Sequence, residues 1–288
     1  MPTQMRANRD DRRDTSASPK AFSLAELLVV VAIVATLALL QLPTLGNAKS
    51  GTKLAICQDN LHQLTRGWLL YAGDHDGWLP GNLNGGDAML GLAAAKRSWC
   101  VGWLDFAKSS ANTNTLFFSE AQLGPYVRKV TSIYRCPADP SLADHGDQWY
   151  PRVRSVSMNG YLGDGPAPWT TGYRQFKKLQ EVVNPSPNRA FVFIDERDDS
   201  INDPYFAIAM DGSFPPDPRS YTIVDFPADW HNRGANLSFV DGHVETWHWR
   251  DPRTLPLHRR GVPLALNVRS PNNPDVARLQ AAASSRAK

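Results

Sequence analysis

The chain has 288 residues, of which 42% are hydrophobic and 20% are charged, so its composition is that of a folded protein rather than a disordered one. The formal net charge is only +3, and the basic residues concentrate near the two ends. Because no basic stripe runs through the central part, we do not expect nucleic acid as a partner.

The first element along the chain is an apolar run from Leu27 to Leu40, which follows a basic segment. Its fourteen residues include one polar residue, Thr36, and they fall short of the ~20 apolar residues that span a bilayer. Extending the run to 22–42 gives a spanning length, but this range contains Glu26. A carboxylate in membrane hydrocarbon costs about 3 kcal/mol unless it is paired, so an ordinary membrane helix does not explain this segment.

A conventional secretory signal is one alternative for the same segment. The small residues Gly46–Ala48 follow the apolar run, as in a signal-peptidase site. Cleavage after Ala48 would release a soluble exported protein whose first residue is Lys49.

A second helical pattern follows Pro43. Apolar residues recur there at spacings of three and four, which predicts one buried stripe on a helix that ends at Asp74 and packs against a sheet. The residues of this stripe are Leu54, Cys57, Leu61, Leu64, Trp68 and Tyr71.

Short strands and one short helix are predicted in the remainder. The helix covers Ser119–Val127, and the strands cover Ile133–Cys136, Val153–Met158 and Ala190–Ile194. The basic, Pro-rich tail 250–288 is predicted to be largely disordered.

The clearest local pattern is a hairpin around Asp241 and Gly242. An Asp-Gly pair between two alternating runs is typical of a two-residue type I′ turn, in which both residues have positive φ. This turn would place Phe239 opposite Val244. It would also place Leu237 opposite Thr246.

Metal ligands and catalytic residues were sought among the polar side chains. His231, Asp241, His243, Glu245 and His248 do not converge, because His248 points to the other face of its strand, and a structural role for His231 is favoured. No nucleophile elbow, phosphate-binding loop or dinucleotide fingerprint is present, so we do not expect an enzyme.

An acidic turn after the strand at Ala190–Ile194 offers oxygen ligands for a hard cation. Asp195, Asp198 and Asp199 are the candidate calcium ligands, with a solvated acidic turn as the alternative. No other cofactor is expected. Among the three cysteines, one pair would be oxidised in an exported protein, but the spacing does not say which.

The segment Ala21–Glu26 resembles the cleavage and methylation signal of type IV prepilins. The resemblance implies cleavage between Ala21 and Phe22, N-methylation of Phe22, and pairing of its ammonium with Glu26 of a neighbouring subunit. Ala21 stands where this family usually has Gly, which makes slower processing a possibility to test.

Four further segments resemble pilin-like proteins with a C-terminal H-x9-DG motif. They begin at Cys57, Tyr134, Arg152 and His231, and the last continues to Asp241–Gly242 as the structural motif of the family. Because Cys57 and Cys136 both lie in matched segments, the resemblance implies a disulfide between them. Related pseudopilins hold calcium near their C-terminal sheet.

The resemblance implies an α+β, pilin-like fold, with a long N-terminal helix, membrane-embedded in its first half, packed on a small antiparallel sheet with long loops. The expected organisation is a leader over 1–21, a transmembrane helical part over 22–42 and its soluble part over 43–74. An extracytoplasmic α+β domain then covers 75–249, and the tail covers 250–288.

The function expected from this resemblance is that of a structural subunit of a type II secretion pseudopilus or a type IV pilus-like assembly. Its location would be the cytoplasmic membrane, single-pass, with the domain on the periplasmic side. The expected partners are prepilin peptidase, other pilin-like subunits and the lipid bilayer. The alternative is an extracytoplasmic binding module, in which some of the nine tryptophans stack on carbohydrate.

Overall fold

The computed structural model describes residues 23–165, 169–259 and 261–287. The chain divides into two compact units, Met1–Ala48 and Lys49–Lys288. The α-helices are α1 (Leu24–Asp74), α2 (Gly85–Met89), α3 (Leu116–Ser119) and α4 (Pro274–Ala283). The strands are β1 (Leu142–Asp144), β2 (Trp149–Pro151), β3 (Val156–Asn159), β4 (Phe191–Asp195), β5 (Tyr205–Phe206), β6 (Thr222–Ile223), β7 (Gly234–Phe239), β8 (Val244–His248) and β9 (Val268–Arg269).

Helix α1 begins with a capping box formed by Ser23 and Glu26. The Glu26 backbone N–H donates to Ser23 Oγ at 3.2 Å, and the Ser23 backbone N–H donates to Glu26 Oε2 at 2.9 Å. Each side chain thus satisfies a backbone donor that the first helical turn leaves free. Glu26 therefore has a hydrogen-bond partner within its own chain.

The predicted stripe on the second part of α1 is confirmed from Cys57 to Tyr71, whereas Leu54, its first residue, is only half-buried. Cys57, Leu61, Leu64 and Trp68 are almost fully buried, and Tyr71 is buried as well. The helix ends at Asp74, where the sequence predicted it to end. The spacing of three and four residues places these side chains on one face because a helical turn holds 3.6 residues.

The main sheet has the strand order β5-β3-β4-β7-β8. Strands β3, β4, β7 and β8 pair antiparallel with their neighbours, whereas β5 runs parallel to β3. The predicted small antiparallel sheet is therefore corrected to a mixed sheet of five strands. After β4, residues 196–204 lead to the other side of β3, and β5, like β3, runs antiparallel to β4.

The β7–β8 hairpin forms, but its register differs by one residue from the prediction. Ser238 lies opposite Val244, and Leu237 lies opposite Glu245. The connection is a three-residue loop: the Gly242 N–H donates to the Phe239 carbonyl, and Gly242 alone of the Asp-Gly pair has positive φ. A type I turn followed by a left-handed glycine gives this geometry, and it competes with the type I′ turn for the same residues.

Helices pack on both faces of the main sheet. Leu61, Leu64 and Trp68 of α1 share one core cluster with Val156 and Val192. A second cluster is built on the other face by residues from β4, β7, β8 and α4: Phe191, Ile194, Leu237, Phe239, Trp247, Leu279 and Ala282. Side chains of a strand alternate between the two faces, and a register shift in β4 between Phe191 and Ile194 lets both of these residues join the second cluster.

Helix α4 corrects the prediction of a disordered tail. Asn273 caps it by accepting from the backbone N–H groups of Asp275 and Val276, and Pro274 occupies its first turn. Val276, Leu279 and Ala283 are buried, so the helix supplies part of the second core cluster and the adjacent packing.

Two shorter predictions are also corrected. Ile133–Cys136 is not a strand, because a 3-10 turn covers Ser132–Tyr134 and the Cys136 N–H donates to the Ser155 side chain instead of to a strand. The predicted helix Ser119–Val127 does not form, because α3 ends at Ser119 and successive turns cover the rest of that range.

Within the part of the chain that the structure describes, no helix combines the length and the apolar character that crossing a bilayer requires. The predicted pilin-like fold with a membrane-embedded helix over 22–42 and the predicted single-pass membrane location are therefore wrong. The uninterrupted run Leu27–Leu40 would give about 21 Å of helix, against roughly 30 Å of hydrocarbon.

Candidate functional site: a buried cysteine, aspartate and histidine cluster

Four side chains from distant parts of the chain meet inside the second unit. They are Cys57, Cys136, Asp195 and His231, which we call the Cys–Asp–His cluster. One ligand-type atom from each lies within 4.8 Å of those of the other three. All four residues are buried, with at most 4% of their surface exposed. This is the densest group of metal-ligating side chains in the part of the chain described here.

The two cysteines come from α1 and from the segment that follows the 3-10 turn Ser132–Tyr134. Cys57 belongs to the buried stripe of α1, so the helical spacing directs its thiol inward. Cys136 follows the 3-10 turn Ser132–Tyr134, and its N–H donates to Ser155 Oγ at 2.8 Å. The Ala138 N–H points at the Cys136 sulfur at 3.4 Å.

Asp195 and His231 come from the sheet. Asp195 ends β4, and its Oδ2 accepts from the backbone N–H of Asn236 on β7 at 3.1 Å. His231 lies in the loop before β7, where its own N–H donates to the Gly234 carbonyl. Asn232 and Arg233 have positive φ, which folds this loop tightly enough to return His231 to the end of β4.

The four groups are in direct contact. The Cys57 thiol donates to Asp195 Oδ2 at 3.1 Å, and Cys136 Sγ lies 3.2 Å from His231 Nε2. His231 Nε2 lies 3.9 Å from Asp195 Oδ2. The first two of these distances are within hydrogen-bonding range, and the third, between His231 and Asp195, is slightly longer.

Burial sets the protonation of this cluster. It raises the pKa of Asp195 to about 7, although hydrogen bonds from Cys57 and Asn236 act in the opposite direction. It raises the pKa of the Cys57 thiol well above its usual value, with hydrogen bonding to Cys136 as the next cause. It lowers the pKa of His231 to about 4, so the imidazole is neutral near pH 7 and keeps a lone pair for a ligand.

The predicted Cys57–Cys136 disulfide is absent, because all three cysteines carry free thiols. The two residues nevertheless lie side by side in the cluster, as the resemblance led us to expect of their positions. His231, predicted as a structural residue, joins them there. Asp241 and Gly242 lie apart from the cluster, in the loop of the β7–β8 hairpin.

The three predicted calcium ligands do not form one set. Asp195 belongs to the Cys–Asp–His cluster, whereas Asp198 pairs with His258 Nε2 at 2.9 Å. Asp199 accepts from the Arg197 guanidinium at 2.9 Å. Asp198 and Asp199 nevertheless lie together, because their carboxylate oxygens and the His258 imidazole are all within 4.8 Å of one another. The structure therefore separates Asp195 from the other two predicted calcium ligands.

The proposed cleavage site, Ala21 and Phe22, lies outside the described residues, so N-terminal processing stays a prediction. Glu26 is described, and its hydrogen bonds to the Ser23 backbone and hydroxyl lower its pKa. Pairing of Glu26 with a neighbouring subunit also stays a prediction.

An open cavity of about 840 Å³ lies in the second unit, away from the cluster. Trp78 lies at its wall with 44% of its surface exposed, and Lys178 Nζ lies 4.6 Å from the centre of its ring. Asp87, Lys96 and Gln122 line the same cavity. An aromatic face beside charged and amide groups is the chemistry that recognises a polyhydroxylated ligand.

Several of the tryptophans named as candidate stacking platforms are buried. Trp99, Trp247 and Trp249 belong to the cores, whereas Trp149 and Trp169 are exposed. Trp78 is the tryptophan that lines the cavity.

Sequence reasoning had assigned Asp195 to a different metal and had paired the cysteines with each other. The four ligands occur in separate segments, so no local spacing in the sequence indicates that they meet. Comparison of the chain with protein-family models, curated proteins and solved structures found no match. No comparison therefore bears on the predicted resemblance to pilin-like proteins, which stays a prediction.

Proposed function

We propose that the chain is a structural subunit that associates with further copies of itself through the first part of α1. The observation that supports this is a continuous apolar surface on 24–34. Its eight large apolar side chains are between 48% and 74% exposed: Leu24, Leu27, Leu28, Val29, Val30, Val31, Ile33 and Val34.

Exposed apolar surface of this extent needs a covering partner. Single exposed apolar residues are ordinary on protein surfaces, but a contiguous apolar patch marks an interaction site. A helix that is apolar on all sides is stable in water only when other chains surround it.

The spacing on this segment favours an identical helix as the partner. Leu24, Leu27, Val31 and Val34 recur at intervals of three, four and three residues, which is the pattern of a coiled-coil seam. Leu28, Val30 and Ile33 flank this seam, so more than two helices can pack together. The capping box at Ser23 and Glu26 fixes where each helix begins, which gives all copies the same register.

The test is the oligomeric state of the full-length chain, measured by analytical ultracentrifugation at several micromolar concentrations. We expect oligomers for the unchanged chain and a shift toward monomer for Val31→Asp. Burying one Val contributes about 1.5–3 kcal/mol, so losing it and adding a charge should weaken association at least ~tenfold.

The matched control is Leu257→Asp, which introduces the same charge at a residue that is 80% exposed and lies outside the segment. This variant should associate like the unchanged chain. A monomeric unchanged chain, or equal loss of association in both variants, would contradict the proposal.

Glycan binding is a second candidate function, favoured by the cavity at Trp78. We expect the full-length chain to bind members of a glycan array and Trp78→Ala to lose ~fivefold or more in affinity, because stacking of a sugar on an aromatic ring contributes ~1 kcal/mol. Trp149→Ala, an exposed tryptophan away from the cavity, is the control. Binding that survives in Trp78→Ala would exclude this cavity.

A further inference from the structure

We propose that Cys57, Cys136, Asp195 and His231 bind one zinc ion, which holds α1, the segment after residue 134 and the sheet together. This inference is independent of self-association. It concerns only the interior of the second unit.

The distances fit a tetrahedral ion. Zinc bonds of about 2.0–2.3 Å at tetrahedral angles place neighbouring ligand atoms roughly 3.3–3.8 Å apart. The measured separations are 3.1 Å for Cys57 Sγ to Asp195 Oδ2, 3.2 Å for Cys136 Sγ to His231 Nε2 and 3.9 Å for His231 Nε2 to Asp195 Oδ2. The other three separations are at most 4.8 Å, so shifts of up to about 1 Å complete the tetrahedron.

The donor types select the metal. Two thiolates with one imidazole and one carboxylate suit zinc, whereas calcium and magnesium require sets of oxygen ligands. On binding, the two thiols release their protons to solvent, and so does the carboxyl group where it carries one, so two thiolates and a carboxylate face the dication.

The surroundings are arranged for this charge. The Ala138 N–H is directed at the Cys136 sulfur, and the Asn236 N–H donates to Asp195 Oδ2. Such donors orient ligands and stabilise their anionic forms. Among the described residues, the one ion-pair partner of Asp195 is His231, so a bound dication would supply its missing counter-charge.

The site is closed, which points to a structural role. All four ligands are buried, and four protein ligands leave no coordination position for substrate or water. The ligands come from α1, the segment after the 3-10 turn, the end of β4 and the loop before β7. A metal that joins these four segments contributes directly to the free energy of folding.

The first experiment measures metal content in the full-length chain, purified with reductant and without an affinity tag. We expect one zinc per chain by plasma mass spectrometry. Cys136→Ser and His231→Ala should each lose most of it. Cys100→Ser is the matched control, because Cys100 is also a fully buried free cysteine but lies outside the cluster.

The second experiment keeps the proposal testable if those variants do not fold. Zinc is removed from the unchanged chain with a chelator and replaced by cobalt. We expect the visible bands of tetrahedral cobalt together with a thiolate-to-cobalt charge-transfer band. We also expect a lower thermal midpoint without metal, restored when zinc is added back.

Three results would overturn the proposal. One is an unchanged chain that holds no zinc and gains no tetrahedral cobalt spectrum. Another is a Cys57–Cys136 disulfide in the non-reduced chain, found by peptide mass spectrometry. The third is zinc retained equally by Cys136→Ser, His231→Ala and Cys100→Ser.

Discussion

At the residue scale, buried ionisable groups are concentrated around the end of β4. Asp225 is fully buried, and its Oδ2 accepts from the Ala207 N–H at 2.6 Å. Burial raises the pKa of Asp225 well above its usual value, and the nearby Glu196 raises it further. Burial likewise raises the pKa of Glu196 to about 8. The folded chain thus holds protons here that the unfolded chain releases.

This arrangement predicts that stability falls as pH rises. Groups whose folded pKa lies above the unfolded value stabilise the fold at low pH, and their contribution is lost as pH rises from about 4 through about 8. Asp225→Asn keeps a carbonyl acceptor for Ala207 but carries no charge. We therefore expect the free energy of unfolding of this variant to fall less between pH 5 and pH 8 than that of the unchanged chain. The two slopes should differ by up to ~1.4 kcal/mol per pH unit for each proton that the variant no longer holds.

The measurement is urea unfolding at several pH values, with each variant compared to the unchanged chain at the same pH. Asp217→Asn serves as the control because Asp217 is exposed and its pKa is lowered by hydrogen bonding to Arg219. The control should leave the pH slope almost unchanged. Equal slopes for Asp225→Asn and the unchanged chain would show that these carboxyl groups do not hold protons in the folded state.

All four members of the Cys–Asp–His cluster were candidates before the structure was considered, but for three different roles, with Asp195 as a calcium ligand. Cys57 and Cys136 were candidates for a disulfide, and His231 for a structural hydrogen bond. Their convergence with Asp195 could not be predicted, because the spacing of 174 positions between Cys57 and His231 carries no information on distance once the chain folds.

At the element scale, helix α4 is the clearest structural feature that the sequence prediction did not include. Its signals were present in Asn273–Asp275, an N-cap followed by Pro and an acidic residue. The surrounding basic and Pro-rich composition outweighed them in the prediction of a disordered tail. The helix forms because its apolar side chains meet a sheet face that also needs covering.

Leu279 tests the contribution of α4 to the fold. It is buried in the second core cluster beside residues of β4, β7 and β8. We expect Leu279→Ala to lower the free energy of unfolding by ~2–5 kcal/mol, as for other buried leucines. Leu266→Ala, at a leucine that is 42% exposed in the same tail, should cost about 0.5 kcal/mol or less.

Urea unfolding monitored by tryptophan fluorescence suits this comparison, because Trp247 belongs to the same cluster and lies under the Arg278 guanidinium, 3.5 Å from its ring centre. A small effect of Leu279→Ala, equal to that of Leu266→Ala, would mean that α4 does not stabilise the core. The tail would then behave as the composition had suggested.

The hairpin shows a second limit of prediction at this scale. Asp241–Gly242 correctly marked the position of the turn, but two turn types use the same pair of residues. The one-residue difference in register determines which side chains face α1: Ser238 Oγ accepts from Thr65 Oγ1 at 2.6 Å on that face, while Leu237 faces α4. Packing of the two strands against α1 and α4 selects the register, and the turn residues carry no information about either helix.

At the scale of the whole molecule, the mixed sheet between α1 and α4 is what brings the Cys–Asp–His cluster together. The end of β4 and the loop before β7 are neighbours because β4 and β7 pair. The thiol of Cys57 reaches them because the buried stripe of α1 covers that face. A bound zinc ion would therefore join the helix to the sheet at the point where these elements meet.

The sequence by itself determined the buried stripe of α1, the end of that helix at Asp74, the central strand β4 and the place of the β7–β8 turn. These follow from local periodicity and turn chemistry, which depend on residues close together in the chain. Only the tertiary structure decided the sheet order, the hairpin register, the docking of α4 and the convergence of two thiols, a carboxylate and an imidazole. Each of these depends on contacts between segments far apart in the chain, and the free energy of burying their side chains together selects one arrangement among many that local patterns allow.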